Sequence, residues 1–167
     1  MFSLAFFGCL RIGEITSKST KADHNLQLAD IQFLSYQNKC DPDILITFRS
    51  FKHSTPHKIH RLQVSESQPI QPVSLLAAFL KERGPKPGPL FMWQNSQPVT
   101  YSQFVTTLKD TLMFSGHSTS TYTSHSFRIG RATLAMQQGL SDLQIMKLGR
   151  WSSSAHLQYL RPPSLAS

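Results

Sequence analysis

HSFRIG, residues 125–130, sets a histidine and an arginine three positions apart at the start of a segment that otherwise reads as core helix. On a helix, positions i and i+3 share a face, so His125 and Arg128 are expected to point the same way, at one target. Phe127, Ile129, Ala132, Leu134 and Ala135 are expected to form the opposite, buried side, with Ser124 as N-cap. Fold and function both turn on what that pair faces.

Upstream, polar GHSTSTYTS separates this segment from residues 101–114, where Phe104, Val105, Leu108, Leu112 and Met113 recur at helical spacing. Downstream, Gly139 marks a helix end, and Ser141 with Asp142 opens a short helix through Leu148. SSSAHLQYLRP then gives a last helical turn or two carrying Tyr159, stopped by Pro162 and Pro163. Towards the start, Phe2 to Glu14 reads as one apolar helix that begins abruptly, as if inside a domain. LADIQFLSY, DILITFRSFK and KIHRLQV carry alternating and β-branched apolar positions, which predicts a small antiparallel sheet whose last two strands join at HSTPH. Pro72 starts a further helix through about Lys81, broken by GPKPGP. The expected fold class is α+β, mostly helical with a small antiparallel sheet.

Seventeen Lys and Arg against nine Asp and Glu give a formal charge of +8, which favours a polyanionic partner. Between Asp43 and Glu66 there is no acid, while Arg49, Lys52, Lys58 and Arg61 fall there with His53, His57 and His60. Those histidines lack a cysteine or acidic companion, so phosphate contacts are expected of them and no metal or other cofactor is. Cys9 and Cys40 are too few for a disulfide framework and are expected to be reduced, in an intracellular protein. MFSLAFFGCL has no basic n-region and no small-residue cleavage site, and no apolar run approaches the ~20 residues of a membrane span. It is expected to be a buried helix.

Three stretches now converge: LRIGE at 10–14, HSFR at 125–128 and GRWSSSAHLQY at 149–159. Order, residue type and separation together resemble the catalytic domain of tyrosine recombinases, the phage-integrase family. The wording HSFRIGRATLA, GRWSS and YLRP is most similar to the recombinases of eukaryotic DIRS/Ngaro-type retrotransposons. The resemblance covers essentially the whole chain. It implies catalytic roles for Arg11, Lys52, His125, Arg128, Trp151 and Tyr159, with Glu14 in support. It also implies double-stranded DNA as partner, a homotetramer on DNA in the full-length protein, no membrane, and a nuclear location. Two departures stand out: Trp151 precedes Tyr159 by eight residues, one fewer than in many bacterial members, and nothing upstream of Phe2 corresponds to the family's N-terminal DNA-gripping domain. Residues 1–167 are therefore expected to be an N-terminally truncated catalytic domain.

The chemistry fits those residues. Attack on a phosphodiester concentrates negative charge on the nonbridging oxygens, and two arginines, Arg11 and Arg128, offer rigid forks of donors for them. Tyr159 supplies the nucleophilic oxygen and becomes a 3′-phosphotyrosyl link. His125 is placed to accept the phenolic proton or to orient the phosphate, and Trp151 to donate its indole N–H. The departing 5′ oxygen needs a proton, from Lys52 or, across the same hairpin, Lys58. Glu14 is expected to orient Arg11. Arg49, His53, Lys58, Arg61, Arg131 and Arg150 are expected to touch DNA. The expected activity is DNA cleavage and rejoining in site-specific recombination or integration of a mobile element. Two alternatives share the fold or the chemistry: a degenerate DNA-binding module without turnover, and a type IB topoisomerase-like relaxase.

Overall fold

The computed structural model describes residues 1–18, 25–37, 41–49 and 59–161. Its elements run α1 Phe2–Phe7, α2 Ile12–Ile15, β1 Ile31–Leu34, β2 Asp43–Phe48, β3 His60–Val64, α3 Pro72–Arg83, α4 Tyr101–Phe114, α5 Ser126–Gln137 and α6 Asp142–Gly149, followed by a 3₁₀ turn at Ser154–Tyr159. The three strands form an antiparallel sheet in the order β1-β2-β3, with Ile46 of the central strand opposite Ile31 on one side and Leu62 on the other. Alternation decides which face is buried: Ile44, Ile46 and Phe48 turn inward, as strand geometry requires of residues two apart. The α+β class, the three strands and the helices α3, α4 and α6 agree with the sequence pattern. Among the described residues no helix is long and apolar enough to cross a membrane.

Two clusters make the core. The larger gathers Leu4, Leu10, Ile15, the inward residues of β2 and β3, Val73 and Leu76 of α3, and Phe104 and Leu108 of α4. Phe2, Phe104 and Phe127 meet ring to ring at 5.0–5.8 Å, tying α1, α4 and α5 together. The smaller cluster packs Cys9 against Ala132, Ala135, Ile145 and Trp151, and so fastens α5, α6 and the 3₁₀ turn to the end of α1.

Two expectations are corrected. The segment Phe2 to Glu14 is two helices, not one. It breaks at Gly8 and Cys9, where Cys9 takes a left-handed φ of 45°, and Arg11 is extended (φ −75°, ψ 137°) as the residue capping α2. Cysteine does not announce positive φ, so apolar periodicity ran through the break. The second correction concerns α5. Its N-cap position belongs to His125, not Ser124, and has no side-chain capping bond. Its buried residues are Arg128, Ala132 and Ala135, at i, i+4 and i+7. Arg128 thus belongs to the buried stripe, at 2% exposure, while His125 is exposed. The spacing is visible in the sequence, but its first member is charged, which sets it with His125 on the face opposite the buried side.

Ile46 is fully buried at the centre of the sheet. Ile46→Ala should cost about 2–5 kcal/mol, read as a lower urea midpoint with an unchanged slope; a midpoint like that of the unaltered chain would contradict this core.

Candidate active site

The site is built where α6 ends. The Trp151 N–H donates to the Met146 carbonyl and the Arg150 N–H to that of Lys147, with Arg150 left-handed at φ 56°, ψ 43°: the Schellman closure of a helix. This turn folds Trp151 back across Gly149 so closely that a Cβ there would lie 1.8 Å from Trp151 Cζ3. Glycine is required for that approach. In G-R-W, the first residue gives room, the second turns the chain, and the third lies over what is below.

Below is Arg128. Its Nη1 donates to the Cys9 carbonyl at 2.6 Å and its Nη2 to the Gly149 carbonyl at 2.9 Å. The guanidinium carbon lies 4.5 Å from the Trp151 ring centre and 5.4 Å from that of Tyr159. Its Nε is buried without a hydrogen-bond partner among the described residues. Burial pulls the Arg128 pKa down from the usual arginine range, and the like charge of Arg11 acts in the same direction.

Tyr159 closes the cage. Its ring centre is 4.9 Å from that of Trp151 and 6.2 Å from that of His125, the latter nearly parallel at 15°. The 3₁₀ turn that carries it is held to α5 by Thr133, whose hydroxyl donates to the Tyr159 carbonyl at 3.3 Å and accepts the Arg161 N–H at 3.1 Å. His156, three residues earlier and 3% exposed, packs its ring against Trp151 at 6.3 Å. Four of the expected site residues are therefore brought together: Arg128, Trp151 and Tyr159 in mutual contact, and His125 against Tyr159.

Arg11 adjoins this group through Glu14. The carboxylate accepts the Arg11 backbone N–H on Oε2 at 2.8 Å and Arg11 Nη1 on Oε1 at 3.3 Å. Oε2 also takes Arg150 Nη2 at 2.6 Å. Arg11 keeps its side chain 25% exposed, whereas that of Arg150 is 0% exposed. Arg150, expected at a DNA surface, is thus turned wholly inward, with its guanidinium carbon 4.1 Å from the Phe48 ring centre. Burial lowers its pKa from the usual arginine range, and Glu14 opposes that shift. Burial also pushes the Cys9 thiol up, against the pull of Arg128, so this thiol is a packing group and not a ready nucleophile.

The remaining expected residues divide. Lys52, His53 and Lys58 lie outside the described residues. Arg49 is exposed and paired through Nε with Asp30 at 2.7 Å, and Arg61 is exposed on β3. Arg131 is half-buried on α5, its guanidinium carbon 5.9 Å from the Phe7 ring centre. Sequence reasoning missed the structural use of Gly149 and Arg150; a glycine directly before an arginine and a tryptophan at a helix end was the available signal.

No family model matches the chain, and no curated protein does. Solved structures match its fold. The XerH site-specific recombinase bound to difH substrate in a pre-cleavage complex aligns with TM-score 0.65 and 17% identity, covering 95% of this chain and 40% of that one. Its post-cleavage complex with palindromic difH gives 0.69 and 17%, covering 98% and 41%. The Tn1549 transposon integrase in complex with circular intermediate DNA gives 0.60 and 16%, covering 98% and 53%. The chain spans between two-fifths and about half of the length of these structures. The likeness is one of fold: a small three-stranded antiparallel sheet among helices, as in tyrosine-recombinase catalytic domains.

Gly149→Ala should force Trp151 off Arg128 and cost about 1–3 kcal/mol. The checks are the urea midpoint and a red shift of tryptophan emission; neither changing would contradict the packing of this turn.

Proposed function

We propose that the chain is the catalytic domain of a tyrosine recombinase that cleaves and rejoins DNA through a 3′-phosphotyrosyl intermediate. The observation that carries this reading is the gathering of Trp151 and Tyr159 over the Arg128 guanidinium, with His125 stacked against Tyr159. Charge supports it too. Arg11, Arg128 and Arg150 surround Cys9 and Glu14, and the one carboxylate balances at most one of three cations. A partly desolvated surplus of positive charge beside a tyrosine is suited to an anion that gains charge as it reacts.

In the proposed reaction the Tyr159 oxygen attacks phosphorus, the bond from phosphorus to the 5′ oxygen breaks, and the phenolic proton passes to His125 or to solvent. Arg11, the most accessible of the three arginines, binds a nonbridging oxygen. Arg128 is the second phosphate cation, with its Nε–H without a hydrogen-bond partner among the described residues. The leaving 5′ oxygen takes a proton from Lys52 or Lys58. A second strand attack on the phosphotyrosine reverses these steps and rejoins DNA.

The DNA-bound state of the matching recombinase and integrase structures supports double-stranded DNA as the partner. The wording of HSFRIGRATLA and GRWSS supports a place among the recombinases of DIRS/Ngaro-type retrotransposons, hence a nuclear, mobile-element role with a tetramer acting on DNA. A DNA-binding module without turnover is the second reading, favoured by the commitment of both Arg128 Nη groups to main-chain carbonyls.

The test is incubation with a library of nicked duplexes and recovery of covalently attached fragments. Tyr159→Phe should abolish the adduct while leaving noncovalent affinity within about twofold, because only the attacking oxygen is removed; an adduct persisting in that variant would assign the nucleophile elsewhere. Affinity with no adduct from the unaltered chain would favour the second reading. A substrate with sulfur at the 5′-bridging position, which scarcely needs protonation, should rescue the loss of whichever lysine is the general acid. Rescue of neither Lys52→Ala nor Lys58→Ala would exclude both.

A further inference from the structure

We propose that Arg150 is a positioning residue, not a DNA contact: it holds one oxygen of Glu14 so that Arg11 stays directed outward. This rests on the reading of Arg11 as a phosphate-binding cation. Arg150 has no exposed side-chain surface and occupies a left-handed position at which glycine is the unstrained choice. An arginine there is explained by what its side chain does. It donates to Glu14 Oε2 at 2.6 Å, reaches the Gly8 and Cys9 carbonyls at 3.4 Å, and stacks on Phe48 at 4.1 Å. One group thereby joins the end of α6, the α1–α2 turn and the end of β2.

The division of the carboxylate is what matters for Arg11. Glu14 gives Oε2 to Arg150 and to the Arg11 main-chain N–H, leaving Oε1 for one arm of the Arg11 fork at 3.3 Å. The rest of the fork has no hydrogen-bond partner among the described residues and can meet a phosphate. Without Arg150, the place it takes on Oε2 is open to the second arm of the Arg11 fork, and a two-pronged pair with a 9%-exposed carboxylate would neutralise the cation and draw it inward. Arg150 thus acts by competing for Glu14.

The experiment uses the nicked duplex recovered in the library selection, with either the natural phosphate or a neutral methylphosphonate at the scissile position. Single-turnover adduct formation at saturating DNA is measured for the unaltered chain, Arg150→Lys, Arg150→Met and Arg11→Met. On phosphate, Arg150→Met should be about 100-fold slower, with apparent Kd changed less than about threefold. On methylphosphonate, where less charge develops, the same variant should lose little, and Arg11→Met should show the same pattern. Arg150→Lys, which keeps a cation for Glu14, should fall between. Should Arg150→Met fail to fold, the substrate dependence of the lysine variant decides in the same way. An equal loss on both substrates would overturn the proposal and leave Arg150 a support of the fold. Absence of any adduct from the unaltered chain would overturn the functional reading instead, and this proposal with it.

Discussion

The rest of the structure depends on one buried cation. Arg128 leaves α5 on the stripe that otherwise carries alanine and bonds two carbonyls from opposite ends of the chain, that of Cys9 and that of Gly149. Hydrogen bonds to a charged group contribute about 1.5–3 kcal/mol each, but the larger effect is directional. Cys9 stands two residues before Arg11, and Gly149 two before Trp151. Fixing both carbonyls on one planar guanidinium fixes the turns that present Arg11 and Trp151, and the faces of Trp151 and Tyr159 then cover the cation.

That arrangement has an electrostatic consequence. Two guanidiniums, those of Arg128 and Arg150, are drawn out of water beside the partly exposed Arg11, with Glu14 the carboxylate among them in the described residues, and isolated buried charge is unfavourable. Carbonyl dipoles and aromatic faces offset part of it, and the direction of the Arg128 and Arg150 pKa values, below the ordinary arginine range, shows that burial outweighs the offset. On the proposed reading, a phosphate supplies the missing anion, and the folded chain holds the cations ready before DNA arrives.

Much of this was legible in the sequence. Period-two alternation placed β2 and its neighbours, apolar spacing placed α4, and Ser141, which does cap it, placed the start of α6. Less legible was anything that depends on a backbone turn made by an unexpected residue. Left-handed Cys9 split a helix that periodicity joined, and left-handed Arg150 turned inward a side chain that charge alone assigned to a surface. The site itself was half legible: the residue types and their order marked His125, Arg128, Trp151 and Tyr159, but not that Arg128 lies beneath the rings of Trp151 and Tyr159. Only contacts over more than a hundred residues of chain, such as Arg128 with Cys9, determine that, and they leave no periodic trace.

On the proposed reading, the tyrosine over Arg128 forms the covalent link to DNA. Its most direct test is to digest the recovered protein–DNA adduct with protease and nuclease and locate the nucleotide remnant by mass spectrometry. The expected result is a single modified peptide carrying a 3′-phosphonucleotide on Tyr159. A remnant on Tyr36, Tyr101 or Tyr122, or on a serine, would contradict it.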